Sequence, residues 1–159
     1  MSDLGWSIPQ GPVDARMATE GIVSQHDQIR VLLGRALEIA EAALEGRASS
    51  PDAVASAIGD VRTTIEIHLD FEEKVLLPLV RTADAPNHRS DEVLRDHDLQ
   101  RAMLATLHRE ARRGPELPML AAKLAFLSSW LLKDMVAEEK ALAAIAQLPE
   151  LLVGRSRSV

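Results

Sequence analysis

His68 and Glu72 stand four residues apart in the stretch Ile67-His68-Leu69-Asp70-Phe71-Glu72-Glu73-Lys74-Val75-Leu76-Leu77-Pro78. Four residues is about one helical turn, so an imidazole and a carboxylate leave the same face, ~6 Å apart along the axis. Val61, Ile65, His68, Glu72, Val75 and Leu79 recur at spacings of three and four, which puts the pair in an apolar stripe. A carboxylate facing a core is costly unless something pairs with it. A cation shared with other helices is one such partner.

Further donors sit in stripes of the same kind. His26 falls in line with Ile22, Ile29, Leu33, Ala36 and Ala40, and His97 with Leu94, Leu104, Leu107 and Ala111. Asp134 and Glu138, again four apart, continue Leu117, Leu120, Leu124, Leu127 and Leu131 toward Leu142 and Ile145. Singly, each has a plainer reading: a core histidine for His26, a surface hydrogen bond for His68 with Glu72, a solvated acidic face for Asp134 with Glu138. Together they are three imidazoles and three carboxylates on four helices. That donor set suits a pair of Fe or Mn ions, with carboxylates bridging the cations and imidazoles capping each end. The ions in turn remove the penalty of burying the carboxylates. Asp27, Asp70, Glu73, Asp98, Glu139 and Lys140 read as surface charges, and Asp96 as a candidate to orient a ligand. His88 reads as an exposed loop residue and His108 as core edge. Phe71, Phe126 and Trp130 read as packing.

The elements that must carry these residues follow from the same periodicity. Residues 1–15, with Gly5, Pro9, Gly11 and Pro12, form an irregular arm that Trp6 and Ile8 pin to the body. A first helix runs from about Ala15 to Glu45, and Gly46 sits where a C-terminal glycine belongs. Ser50-Pro51-Asp52 supplies an N-cap and a proline at the first helical position. The second helix reaches about Val80, with Pro78 marking a kink or an early end. The third starts near Ser90-Asp91-Glu92, whose acids suit its N-terminal dipole, and ends near Gly114-Pro115. The fourth runs from about Leu117 to Gln147. Residues 16–148 are thus expected to form an all-α, up-down-up-down four-helix bundle, with 149–159 as a short tail. The two halves repeat weakly: a helix with one inward histidine, then a helix with an inward pair four apart.

Composition bounds the chemistry. The chain has 159 residues, 47% of them apolar and 26% charged, which is ordinary for one soluble globular domain. A formal charge of −6 and no Lys/Arg cluster argue against a nucleic-acid partner. With no cysteine, disulfides, Fe–S clusters and thiolate chemistry are excluded; with no tyrosine, so is a tyrosyl radical. Met-Ser-Asp-Leu-Gly-Trp lacks a basic region and an apolar run, so no signal peptide is expected, and a cytoplasmic location is. No apolar stretch is long enough to span a bilayer, so no membrane partner is expected.

The pattern resembles the hemerythrin-like HHE cation-binding family from about Gly21 to Leu142. Ser24-Gln25-His26-Asp27-Gln28-Ile29-Arg30 is similar to its first motif, Ile67–Pro78 to its second, proline included, and Asp96-His97 to its third. The resemblance implies a non-haem di-iron centre, with His26 and His68 holding one ion, His97 the other, and Glu72 and Glu138 bridging. The fourth motif, usually His-x-x-x-Glu, departs: it reads Lys133-Asp134-Met135-Val136-Ala137-Glu138, with Asp134 at the histidine position. Arg101 stands where oxygen-carrying hemerythrins have a further histidine. One ion would then keep a single imidazole, a harder donor set that makes Mn competitive and argues against reversible O2 carriage. Three functions remain open. One is a di-metal protein that binds or senses O2 or a related small molecule. Another is a redox enzyme acting on peroxide, NO or O2. The third is a metal-free bundle serving a protein partner.

Overall fold

The computed structural model describes residues 15–47, 50–78, 88–114 and 116–146. The expectations for the N-terminal arm, for the loop before the third helix and for the 149–159 tail lie outside them. The described residues form α1 (Ala15–Leu44), α2 (Pro51–Phe71), α3 (His88–Arg112) and α4 (Leu117–Ala146), and no strand. A π-helical segment, Glu72–Leu76, continues α2. The chain is an all-α bundle. No helix among the described residues is long and apolar enough to cross a membrane.

The ends follow from local chemistry. Gly46 takes φ +68°, which a side chain would oppose. Arg47 N–H then reaches the Ala42 carbonyl at 2.9 Å and Gly46 N–H that of Ala43 at 3.2 Å, which satisfies carbonyls left over at the end of α1. The Ser50 side chain accepts from Ala53 N–H at 3.2 Å, with Pro51 as first helical residue. The third helix begins at His88, two residues before Ser90, so His88 belongs to a first helical turn and not to a loop.

Where Pro78 predicts a kink or an early end, the helix instead takes a π turn. Leu77 N–H bonds the Glu72 carbonyl, five residues back. The segment ends two residues before Pro78, which lacks an N–H and whose ring crowds the carbonyl four residues earlier, that of Lys74 within the segment, in an α ladder. Widening the ladder there accommodates the proline without ending the helix.

Each helix packs on two neighbours: α1 on α2 and α4, α3 on α2 and α4. Gly59 lies against His108, and Glu73 meets His97, so the start of α2 faces the end of α3 and the reverse. Glu110–Lys123 and Gln100–Asp134 set α3 against α4 in the same antiparallel sense. The main core includes Ile58, Ile65, Leu69, Leu104, Leu124 and Leu127, all nearly inaccessible to solvent. Each stabilises by roughly 1.5–3 kcal/mol. Ala18, Ile22, Phe71, Val75, Leu76 and Leu142 form a second, smaller cluster. Along α1 the two clusters are separated by Gln25 and His26, and along α4 by the turn that carries Glu138 and Glu139. A buried polar layer therefore lies between two apolar ones.

Two expectations about burial change. Along α4 the row from Leu131 to Leu142 passes through buried Met135, one position from Asp134, which is exposed. Phe126 is 68% exposed and is no core residue; it lines an apolar groove of about 540 Å³ between α3 and α4 with Met103, Leu107 and Leu127. That groove contains none of the His/Glu donors.

Candidate metal centre

The polar layer gathers side chains from all four helices. His26 comes from α1, His68 from the end of α2, Glu72 from the first residue of the π segment, His97 from α3 and Glu138 from α4. His26, His68 and His97 are buried, as is Glu72, while Glu138 is about a fifth exposed. Donor atoms of His26, His68, Glu72 and Glu138 all lie within 4.8 Å of one another. The His26 and His68 rings meet edge to face at 4.9 Å.

Glu72 stands at the middle. One of its oxygens, Oε1, is 2.5 Å from His68 Nε2, and the other, Oε2, is 3.0 Å from His97 Nε2. Glu138 Oε2 is 3.2 Å from His26 Nε2. His26 Nε2 and Glu72 Oε1 are nevertheless buried without a well-aligned hydrogen bond. Buried polar atoms are nearly always satisfied, so two that face one small space mark a place for something else.

Each ring is anchored through its outer nitrogen. His26 Nδ1 donates to Glu139 Oε1 at 2.7 Å, His68 Nδ1 to Gln25 Oε1 at 2.9 Å, and His97 Nδ1 to Glu73 Oε1 at 3.0 Å. Carboxylate and amide oxygens can only accept, which keeps a proton on Nδ1 and leaves Nε2, facing the Glu72 and Glu138 carboxylates, as the nitrogen that gives up its proton to a cation. A histidine that ligates a metal is commonly held by such an acceptor on its other nitrogen. The donors present therefore fit a cation.

Two arginines brace the acceptors. Arg30 donates to Glu139 at 2.7 Å and to Asp27 at 2.9 Å. Arg101 donates to Glu73 at 2.7 Å and to Asp70 at 3.1 Å. Glu73, Glu139 and Asp70 are therefore not simple surface charges. The carboxylate on His97 belongs to Glu73, and Asp96 is exposed. A sequence signal for these residues exists: His-Asp-x-x-Arg occurs at 26–30 and again at 97–101, and Glu-Glu-Lys at 72–74 and 138–140. Gln25, buried beside His68, carries no such signal.

Electrostatics follow the geometry. Burial pushes the His26 imidazole down, but hydrogen bonds and charge from Glu138 and Glu139 outweigh it, so His26 titrates above an ordinary histidine. His97 is raised likewise, burial being outweighed by Glu72 and Glu73. Burial pushes the Glu72 carboxyl up, yet His68 and His97 together pull it down to about 2. Glu138 moves the other way. Burial, and then the charge of Glu72, raise it more than His26 lowers it. Both partners of the His26–Glu138 contact are thus raised, because Glu138 is crowded by a second carboxylate as well as paired. A cation relieves that crowding.

Asp134 stands apart. Its Oδ2 accepts from the Gln100 amide at 2.6 Å, and it does not join the compact donor group. Four of the six residues expected at a centre therefore form one compact group, His97 joins it through Glu72 Oε2, and Asp134 lies at the edge. His108 lies beside Gly59 at the far part of α2, in keeping with a core-edge place.

No curated protein and no solved structure matches the chain. A family model described as the hemerythrin HHE cation binding domain matches residues 17–146.

Proposed function

The chain belongs to the hemerythrin HHE cation-binding family, and from that premise we propose that it holds a non-haem di-iron centre with which it binds or senses O2 or a related small molecule. The observation that carries this reading is the common orientation of His26, His68 and His97, each held at Nδ1 by an outer acceptor with Nε2 turned inward. His26, His68, Glu72 and Glu138 would hold one iron, and His97 the other, with Asp134 beside it. Glu72 would bridge the two ions, a role supported by its two oxygens facing different histidines. When bound, such a pair of ions supplies a redox-active centre that can accept a small exogenous ligand.

The protein's own residues do the rest. Gln25, Glu73 and Glu139 hold the imidazoles in register, and Arg30 and Arg101 hold two of those acceptors. Ile22, Phe71, Val75 and Leu142 keep water from one side of the layer, and the main core does so from the other. In such a dry site the charges act strongly. Mn is a competitor because the Asp134 side is harder than an imidazole would make it. Turnover of peroxide, NO or O2 at the same centre is an alternative use of the same residues.

The deciding experiment is iron content by mass spectrometry on protein expressed in iron-supplemented medium, with absorption spectra under air and after anaerobic reduction. About two irons per chain, with near-ultraviolet bands that reduction bleaches and O2 or peroxide restores, support the proposal. A folded bundle without stoichiometric metal overturns it and turns attention to protein partners.

A further inference from the structure

The two halves of the polar layer repeat one another, and the repeat fails at two residues that touch. His26-Asp-x-x-Arg30 is matched by His97-Asp-x-x-Arg101, and Glu72-Glu73-Lys74 by Glu138-Glu139-Lys140. His68, four residues before Glu72, is matched by Asp134, four before Glu138. Ile29, three residues after His26, is matched by Gln100, three after His97. Gln100 is buried, and its amide donates to Asp134 at 2.6 Å.

We propose that the two cation positions are unequal, and that Gln100 makes them so by holding Asp134 away from the second. The inference rests on the two-metal reading above. At the first position four donors already converge, those of His26, His68, Glu72 and Glu138. The second is faced by His97 Nε2 and Glu72 Oε2. Asp134 is near enough for the charges of Glu72 and His97 to act on it, yet its carboxylate is turned to Gln100. Turning the Asp134 carboxylate from Gln100 toward the second position strains or breaks a charge-assisted hydrogen bond at Oδ2 and leaves a buried amide short of its acceptor. That cost falls on the second binding step alone, and it corresponds to a weakening of about 10- to 100-fold. Gln100 is thus a positioning residue: it controls how readily Asp134 is released.

The test is a stepwise anaerobic Fe(II) titration of the full chain, read by native mass spectrometry and by competition with a chromogenic chelator. Wild type should show two steps at least ~10-fold apart. Gln100→Leu should tighten the second step until the two lie within ~3-fold, with the first unmoved. Asp134→Ala should lose the second step and keep the first, which tests the idea even if Gln100→Leu does not fold. Equal steps in wild type, an unaltered gap in Gln100→Leu, or a wild-type second step in Asp134→Ala each overturn the inference and leave the two-metal reading standing. No iron uptake at all overturns both.

Discussion

His26 and Glu139 are joined at 2.7 Å between Nδ1 and Oε1, across 113 residues of sequence, and His97 meets Glu73 in the same way on the other side of the layer. In each case the carboxylate is the next residue after the inward glutamate, and an arginine four residues after the histidine holds it. Turning one residue along a helix swings a side chain by about 100°, so neighbouring glutamates serve the two nitrogens of one ring from two directions. Glu139→Ala and Glu73→Ala should therefore leave the bundle folded and reduce metal affinity by about 10- to 100-fold. Competition with a chelator measures the loss; unchanged affinity in both variants would remove the outer carboxylates from any role at the centre.

His68→Ala and Glu72→Ala should act more severely. Glu72 contacts two imidazoles with its two oxygens, and His68 contributes to the compact donor group. Metal content per chain should fall to background in both. The stabilisation that saturating metal adds to the wild type, about 2.7 kcal/mol at a hundredfold excess over Kd, should vanish with it. Metal content equal to wild type in the two variants would sink the site assignment.

The metal-free protein should lose stability as pH rises past neutrality. His26 and His97 have folded values above the ordinary 6.5, so their contribution is fully present below that pH and is lost as pH climbs through the raised values. Glu72 is depressed from 4.5, so its contribution is present above 4.5 and is lost as pH falls toward about 2. Protons on the histidines stand in for a cation here. Bound metal displaces them, and its affinity should therefore grow with pH. Thermal melts from pH 5 to 8 should slope downward after chelation and should not do so when metal is present. A downward slope in both would mean that proton and metal do not compete for this layer.

Helix ends were legible because their signals are local: Gly46 needs its positive φ, and Ser50-Pro51 caps its own helix. His26, His68, Glu72 and His97 were legible because a polar residue interrupting an apolar row stands out. Asp134 reads as part of the core row for the same reason, although Met135 takes that place. Rows through Leu131-Asp134-Glu138 and through Leu131-Met135-Leu142 both fit helical spacing, and only tertiary packing selects the second. Glu73 and Glu139 read as surface charges, and Gln25 carries no signal, because their partners lie 24 to 113 residues away, on other helices. Periodicity within one helix does not contain that information. The π turn depends on Pro78 and on the packing of a helix that continues beyond it, which no spacing pattern reports.

Asp134→His should raise iron retention, and Asp96 gives the reason. Gln25 precedes His26 and accepts the Nδ1 proton of His68. Asp96 precedes His97 in the matching place, and its charge already acts on residue 134. In the present chain that proximity is unfavourable, since partial burial of the carboxyl and the charges of Glu72 and Asp96 raise Asp134. A histidine at 134 turns the same proximity into an acceptor for Nδ1–H, leaving Nε2 for the cation. It also removes one negative charge and frees Gln100. Iron per chain after dialysis against a chelator should rise in Asp134→His, and adding Asp96→Ala should take most of the gain away. If Asp134→His retains no more iron than wild type, residue 134 does not border a metal position. If the gain survives Asp96→Ala, the new imidazole is oriented by something other than Asp96.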